Sequence, residues 1–392
     1  MKKRILALSL AALLLTGCSW MDGSYVYVEP HQQQTVENQT NLVSASTYPE
    51  LMTVMENLVT RGTQSYVINV AGYDQDVVEG NMELVSRYIR EDHPIGAYAV
   101  EEISFQLGTN NGQPAVAVEI TYRRTTMEIR QIRKLQDMDA VCRAIHAALE
   151  SHSARVVVLA ERYEDTDFEQ VVRDYAAENP NRIMEVPQIS EGIYGDGVGR
   201  VIELNFTYQN SRESLRQMQN QVRPVFEAAA LYVSGEGSEH QKFAQLSSFL
   251  TERFPYTIET SITPSYSLLC HGVGDSRAFA QVYACICRQA GLECMVVSGT
   301  RDGEPWSWNI ILDNGIYYHV DLLKNSQGDI FRVYCDQEMA GYVWDYSAYP
   351  ACEAYYQAIV TPPPAAETTP PEQTEPTQET EPETEPAPQG EE

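Results

Sequence analysis

Basic residues are scarce in this 392-residue chain, with 27 Lys and Arg against 55 Asp and Glu and a formal charge of −28. Binding a nucleic-acid backbone needs a concentrated basic face, and none is present, which excludes a nucleic-acid partner. Attachment to an anionic membrane through charge is excluded on the same ground. Long apolar runs are lacking too: the most apolar stretch, Ile5–Leu15, is too short to span a bilayer. No zinc-type ligand spacing and no glycine-rich phosphate loop occurs, so neither a metal nor a cofactor is expected. The rest is ordinary. A hydrophobic fraction of 43% and a charged fraction of 21% suit globular domains with sizeable cores, and the length allows two or three of them.

The two ends stand apart from any fold. Lys2, Lys3 and Arg4 precede the apolar run, as in a secretory signal. The residues Leu15-Thr16-Gly17-Cys18 resemble a bacterial lipobox. That resemblance implies a signal peptide over 1–17, cleavage before Cys18, and a diacylglycerol on its thiol that anchors the protein to the extracytoplasmic face of the cell membrane. A polar stretch rich in Gln, Asn, Ser and Thr follows, and 18–47 is expected to be a lipidated, disordered spacer. Residues 361–392 carry nine Pro, nine Glu and no basic residue, the composition of an extended, disordered tail.

Between these ends an α+β pattern occurs twice. The strand-like runs Gln64–Val70 and Ala154–Ala160 each precede a helix-like segment, 74–91 and 165–178, that ends near Pro94 or Pro180. Two further strand-like runs follow in each copy, then a helical stretch. The clearest match sets Glu119–Tyr122 beside Asn205–Tyr208; Met127, Ile129, Ile132 and Leu135 then correspond to Leu215, Met218 and Val222 at helical spacing. Two β-α-β-β-α modules are expected, over 48–150 and 151–235. His93, His146, His152 and Cys142 are isolated within them, as structural residues are.

A third domain is expected over 236–360. Glu239–Phe254 has the pattern of an amphipathic helix stopped by Pro255. After the run Cys270-His271-Gly272-Val273-Gly274-Asp275-Ser276, a helix is expected to reach Arg288, with Phe279, Val282, Tyr283 and Ile286 on its buried side. Strands Cys294–Thr300 and Trp306–Leu312 follow, and Asp313-Asn314-Gly315 signals a type I′ hairpin into Ile316–Leu323.

This order of elements, with its sequence words, resembles the bacterial transglutaminase-like domain, a branch of the papain-like cysteine hydrolases. In that family a glycine-rich turn delivers a cysteine at a helix start, a His-Ala-Trp-Asn-type strand supplies the base, and a Tyr-His-Val-Asp-type strand supplies the orienting Asp. The stretches Ala290–Gly299 and Asp336–Asp345 also resemble family segments. The resemblance places Ser276 at the nucleophile position, Trp306 at the histidine position and Asp321 at its usual place. A serine hydroxyl needs a base within hydrogen-bond reach, and an indole N–H donates but accepts no proton. Asp275 and Ser276 also suit a helix cap.

Two readings of this domain follow, beside a third in which the protein is an architectural surface protein whose duplicated modules carry the function. One is a pseudoenzyme whose old cleft binds a peptide, protein or cell-wall fragment, with Trp306, Trp308 and Tyr318 as aromatic contacts. The other is a working hydrolase or acyltransferase in which His319, two residues before Asp321 and so on the same strand face, serves Ser276 as an alternative base. A shifted nucleophile at Cys270 would lie ahead of the helix and outside its dipole.

Without Cys18 seven cysteines remain, an odd number. Cys335 and Cys352 flank one short loop and are the candidate disulfide, with buried free thiols as the alternative. Cys285 and Cys287 sit about 200° apart around a helix and cannot share a metal.

Overall fold

The computed structural model describes residues 43–233, 235–257, 263–325 and 331–356. The signal peptide, Cys18, most of the spacer and the acidic tail lie outside the described residues. The chain forms two compact units: the described residues up to Val171 with Pro187–Thr207, and Val172–Val186 with the described residues from Tyr208 onward. No helix among the described residues is long and apolar enough to cross a membrane.

The first unit begins with helix α1 (Tyr48–Arg61), capped by the Thr47 hydroxyl and closed by Gly62 in the left-handed region. Strand β1 (Ser65–Asn69), helices α2 (Val78–Glu91) and α3 (Pro94–Ala99), and the hairpin β2 (Val100–Asn110) and β3 (Gln113–Tyr122) follow. The sheet order is β1-β3-β2, antiparallel throughout. Leu51, Met55, Met82, Val85, Ile68 and Val116 form the centre of the core between helices and sheet. The spacer ends sooner than its composition suggested. Ala45 donates its amide to the Asn69 carbonyl, Asn69 donates to Val43, and Ala45 is buried, so residues 43–45 run beside the end of β1.

The helical stretch expected after Tyr122 is broken in two. Thr125 and Glu128 form a reciprocal capping box that starts α4, but α4 covers only Thr126–Arg130. Met127, expected on a buried face, is exposed, and β4 (Arg133–Leu135) then pairs in parallel with a later strand. Strand pairing overrides helical spacing here, because three backbone ladder positions are satisfied at once. Helix α5 (Met138–Glu150), strand β5 (Arg155–Ala160), helix α6 (Phe168–Glu178) and the hairpin β6 (Gln188–Tyr194) and β7 (Arg200–Thr207) follow. Their sheet runs β4-β5-β7-β6, so β5, β7 and β6 stand in the same order as β1, β3 and β2.

A buried carboxylate ties the two sheets' loops together. Glu203 on β7 takes Arg124 at 2.9 Å, Arg155 at 2.6 Å and the Tyr194 hydroxyl at 2.9 Å. Arg155 also reaches Glu128 and the Tyr98 hydroxyl. The Thr125 amide first, then Arg155, hold the Glu128 carboxyl down at about 2.

The second unit holds α7 (Arg212–Tyr232), α8 (Glu239–Thr251), α9 (Ser276–Gln289) and an antiparallel sheet in the order β10-β9-β8-β11. Those strands are β8 (Cys294–Arg301), β9 (Glu304–Asp313), β10 (Ile316–Val320) and β11 (Tyr342–Trp344), with a one-turn helix α10 (Leu322–Asn325) after β10. Asn314 and Gly315 both have positive φ, 52° and 80°, as the type I′ turn requires. Helix α9 is the central element. Phe279, Val282, Tyr283 and Ile286 pack with Phe243, Leu246 and Leu250 of α8 and Ile311 of β9, and the Tyr283 hydroxyl donates to the Phe243 carbonyl at 2.9 Å. Helix α7, expected to close the second module, belongs to this unit: Leu215, Met218, Val222 and Phe226 face the same core.

Removing the Glu203 carboxylate takes the carboxylate partner from Arg124 and leaves Arg155 with the Glu128 carboxylate alone, in a half-buried site. Glu203→Ala is expected to lower the unfolding free energy by about 3 kcal/mol in urea titrations, with Glu203→Gln intermediate. An unchanged midpoint would remove the network from the account of this unit's stability.

Candidate functional site

The approach to α9 is a π-type turn, Ser267–His271, closed by Gly272 at φ 66°. The loop is tied down by Thr257, whose hydroxyl accepts the Gly274 amide at 3.0 Å and whose amide donates to the Gly274 carbonyl. A side chain at Gly274 would strike Leu268. Asp275 then caps α9, accepting the Ala278 amide at 2.9 Å, and Ser276 is the first helical residue. Capping thus falls to Asp275. The buried Ser276 Oγ instead accepts the Ser307 amide of β9 at 3.1 Å, joining the helix start to the strand that carries Trp306.

The structure brings Trp306 and Asp321 together. The indole Nε1 donates to Asp321 Oδ2 at 3.0 Å. Asp321 is buried and accepts from every side: the Leu323 and Lys324 amides cap α10 through Oδ1, and the Tyr342 hydroxyl and Arg301 share Oδ2 with the indole. Burial, then the neighbouring Asp321 carboxylate, raises the Tyr342 hydroxyl far above its ordinary value, so it remains a donor. Trp306 is half-buried, with Tyr256 at 5.6 Å between ring centroids and the Arg301 guanidinium 5.1 Å above its ring.

Arg301, Tyr342 and Ser307 carry functional bonds that sequence reasoning missed. Tyr342 sits in a stretch already singled out, Asp336–Asp345, but no spacing rule assigns its hydroxyl to Asp321. Asn309, the last residue of the Trp306–Asn309 word, is fully buried and donates to Ala280 of α9 and Met295 of β8. It fixes the strand against the helix.

Three expectations are corrected. Trp308 and Tyr318 are 1% and 4% exposed, so neither offers a ligand-binding face. Trp308 points into a second cluster with Val297, Ile310 and Met339. His319 is not available as a base for Ser276. Its Nδ1 accepts the Trp308 indole N–H at 2.9 Å, and because an indole only donates, Nδ1 must be bare and the proton sits on Nε2. Nε2–H then donates to Asp336 Oδ1 at 2.8 Å. The disulfide between Cys335 and Cys352 is not formed, and all seven cysteines among the described residues are free. The Asp336 amide donates to the Cys352 carbonyl and Cys352 donates its amide back to the Asp336 carboxylate, so residue 336 rather than 335 stands opposite 352.

His319, Asp336 and Cys352 bring three potential metal-ligand atoms within 4.8 Å. The bonding favours a structural cluster. Nε2 is protonated and bonded to Asp336, and burial, then Asp336, pushes the Cys352 thiol up to about 12. Cys270 is likewise raised by burial, and His271 packs edge-on against Tyr266.

Burial lowers the His319 imidazole below its ordinary 6.5, against the opposing pull of Asp336. The unfolded chain therefore takes up the proton first. His319's contribution is complete above about pH 6.5 and is lost as pH falls below that value. Thermal melts between pH 7.5 and 5.5 are expected to show a falling midpoint, with a shallower fall in His319→Gln. His93, also lowered by burial, accounts for part of the slope that remains. A steeper fall in the variant would reverse the sign assigned to His319.

Residues 227–349 match the model of the transglutaminase-like superfamily. The matched segment opens inside α7, ahead of the boundary that the sequence suggested at 236. Among solved structures, a TGase is 10% identical with a TM-score of 0.26, over 58% of this chain and 65% of that one. The "Putative Cysteine Protease from Cytophaga hutchinsonii" is 12% identical with a TM-score of 0.25, over 40% of this chain and 65% of that one. The chain thus spans just under two thirds of the length of either structure. No curated protein matches the sequence. On the family match, the C-terminal part of this mixed α+β chain carries a transglutaminase-like domain.

Proposed function

We propose that this transglutaminase-like domain binds a ligand instead of cleaving or transferring one, within a lipoprotein anchored through Cys18 on the extracytoplasmic face of the cell membrane. The observation that carries the reading is the bond from Trp306 Nε1 to Asp321. The orienting carboxylate holds an indole where the family holds its base, and an indole removes no proton from Ser276. Two supports stand beside it. Ser276 Oγ is engaged by the Ser307 amide, and the His319 lone pair is held by Trp308. The residues of such a triad act as a unit, so loss of the base removes most of the rate the others supply.

The ligand class is a peptide, a protein or a cell-wall fragment, met by Trp306 and the exposed Tyr256. The two sheets of the first unit and the acidic tail then act as spacers and braces outside the membrane. Charge does not bring the protein to a membrane; acyl chains on Cys18 do, each methylene contributing about 0.8 kcal/mol.

Two measurements test the reading. Incubation with peptide amides and a primary amine acceptor is expected to give no product from the native chain. Joint Ser276→Cys and Trp306→His substitution is expected to create measurable turnover, because it supplies a thiol at a helix start beside an imidazole held by Asp321. Turnover by the native chain that disappears in Ser276→Ala would overturn the proposal. For the anchor, Cys18→Ser is expected to move the protein from the detergent phase to the aqueous phase on partition. A variant that stays with the detergent would sink the lipid assignment.

A further inference from the structure

In a chain with twice as many acidic as basic residues, three cations gather on the rings of Tyr334 and Tyr342, and one of them, Arg301, also stands over Trp306. Arg301 leaves the end of β8, Lys324 lies on α10 and Arg332 begins the segment that returns to the sheet. They share aromatic supports. The Lys324 ammonium lies 4.0 Å from the centre of the Tyr334 ring and 5.5 Å from that of Tyr342. Arg332 stands over Tyr334 at 5.2 Å, and Arg301 over Tyr342 at 5.5 Å and Trp306 at 5.1 Å.

Their charges are not equally answered. Arg301 is paired with Asp321 at 3.3 Å, and Arg332 with Glu338 at 3.3 Å. Both carboxylates have other donors to serve: Asp321 takes four more, and Glu338 takes the Cys335 amide. Lys324 has no carboxylate within ion-pair reach among the described residues, although Asp321 and Glu338 contribute to the field it feels. Burial is the largest influence on its ammonium and acts to drive off its charge, and both guanidiniums push the same way. An ammonium in that position, half-buried on an aromatic face near two guanidiniums, has no anion bound to it among the described residues.

We propose that Lys324, flanked by Arg301 and Arg332, receives a carboxylate of the ligand whose body lies on Trp306 and Tyr256. Deepening the binding reading above, it rests on that reading and specifies an anionic group on the peptide. Carboxylates are favoured by the geometry of the site. One oxygen takes an ammonium hydrogen of Lys324, and the other faces guanidinium hydrogens not directed at Asp321 or Glu338. The strongly acidic chain repels anions at long range, so the contact selects ligands at short range and does not steer them from solution. The carboxylate has two sources, a free C-terminus or an acidic side chain.

The test uses the full chain and three pentapeptides that differ only in charge: a free C-terminal acid, its C-terminal amide, and that amide with one internal glutamate. Calorimetric titration at low salt is expected to show at least one carboxylate-bearing peptide binding five-fold or more tightly than the plain amide. Which of the two does so identifies the source. That advantage is expected to disappear in Lys324→Met with the melting midpoint unchanged, and to be largely retained in Lys324→Arg. Equal binding of all three peptides, or an advantage that survives Lys324→Met, overturns the carboxylate site and leaves the binding reading standing. Mass spectra of the same mixtures separate the two ideas: cleaved or cross-linked peptide overturns the binding reading itself, and no binding by any peptide overturns both.

Discussion

A carboxylate taken out of water must be met by donors on both oxygens, and Asp321 shows how much structure that requirement can organise. Its five donors come from β8 through Arg301, β9 through Trp306, β11 through Tyr342, and α10 through two backbone amides. Asp321 itself follows β10, so one carboxylate touches or adjoins every strand of the sheet. Removing it would leave an indole, a phenol and a guanidinium facing a void, which is far costlier than the loss of any single bond. The position of Trp306 is therefore fixed by Asp321. The indole takes its place on Asp321 because it completes this donor set.

The same logic explains which parts of the site were legible in the sequence. Ser276, Trp306 and Asp321 could be placed because each lies in a short word with a fixed neighbour order, and the Asn314–Gly315 turn because positive φ leaves few residue choices. Helix α9 followed from apolar spacing and a cap. Arg301 and Tyr342 could not be placed, since their bonds to Asp321 join strands whose pairing no local pattern determines. Trp308 and Tyr318 misled for a related reason. Alternation along a strand tells which residues share a face but not which face meets the core, and in this sheet both faces are covered near Trp308. The segment after Tyr122 failed differently: Met127, Ile129 and Ile132 have helical spacing, but the capping box starts a helix that strand pairing at Arg133 then stops.

His319 repeats the donor requirement in reverse. Trp308 is fully buried and its N–H must find an acceptor; His319 Nδ1 provides it, and the tautomer is settled by that bond alone. The remaining N–H must in turn find its own acceptor, which is Asp336. The chain Trp308–His319–Asp336 therefore runs donor to acceptor with no proton free to move at neutral pH. An imidazole beside an aspartate looks catalytic in sequence, and here the neighbouring indole makes it structural.

On the binding reading, Ser276 and Trp306, at the positions where the resemblance expects a cysteine and a histidine, also form a chemically coherent pair. On that reading, a cysteine at the first turn of α9 without an imidazole beside it would still have its thiolate favoured by the helix dipole, leaving a nucleophile open to oxidation. A serine at that position offers no such anion and uses its oxygen to hold the Ser307 amide. The surviving thiols point the same way. Cys142, Cys270, Cys285, Cys287 and Cys352 are all raised by burial, Cys285 to about 11 and Cys352 to about 12, which keeps them protonated and unreactive. On the binding reading, a fold built to expose one activated thiol has kept its framework and lost the single position at which that thiol would have been reactive. What remains there is the half-buried face of an indole under Arg301, and, over Tyr334 and Tyr342, an ammonium with no ion-pair partner among the described residues. On the binding reading, both recognise a ligand without changing it.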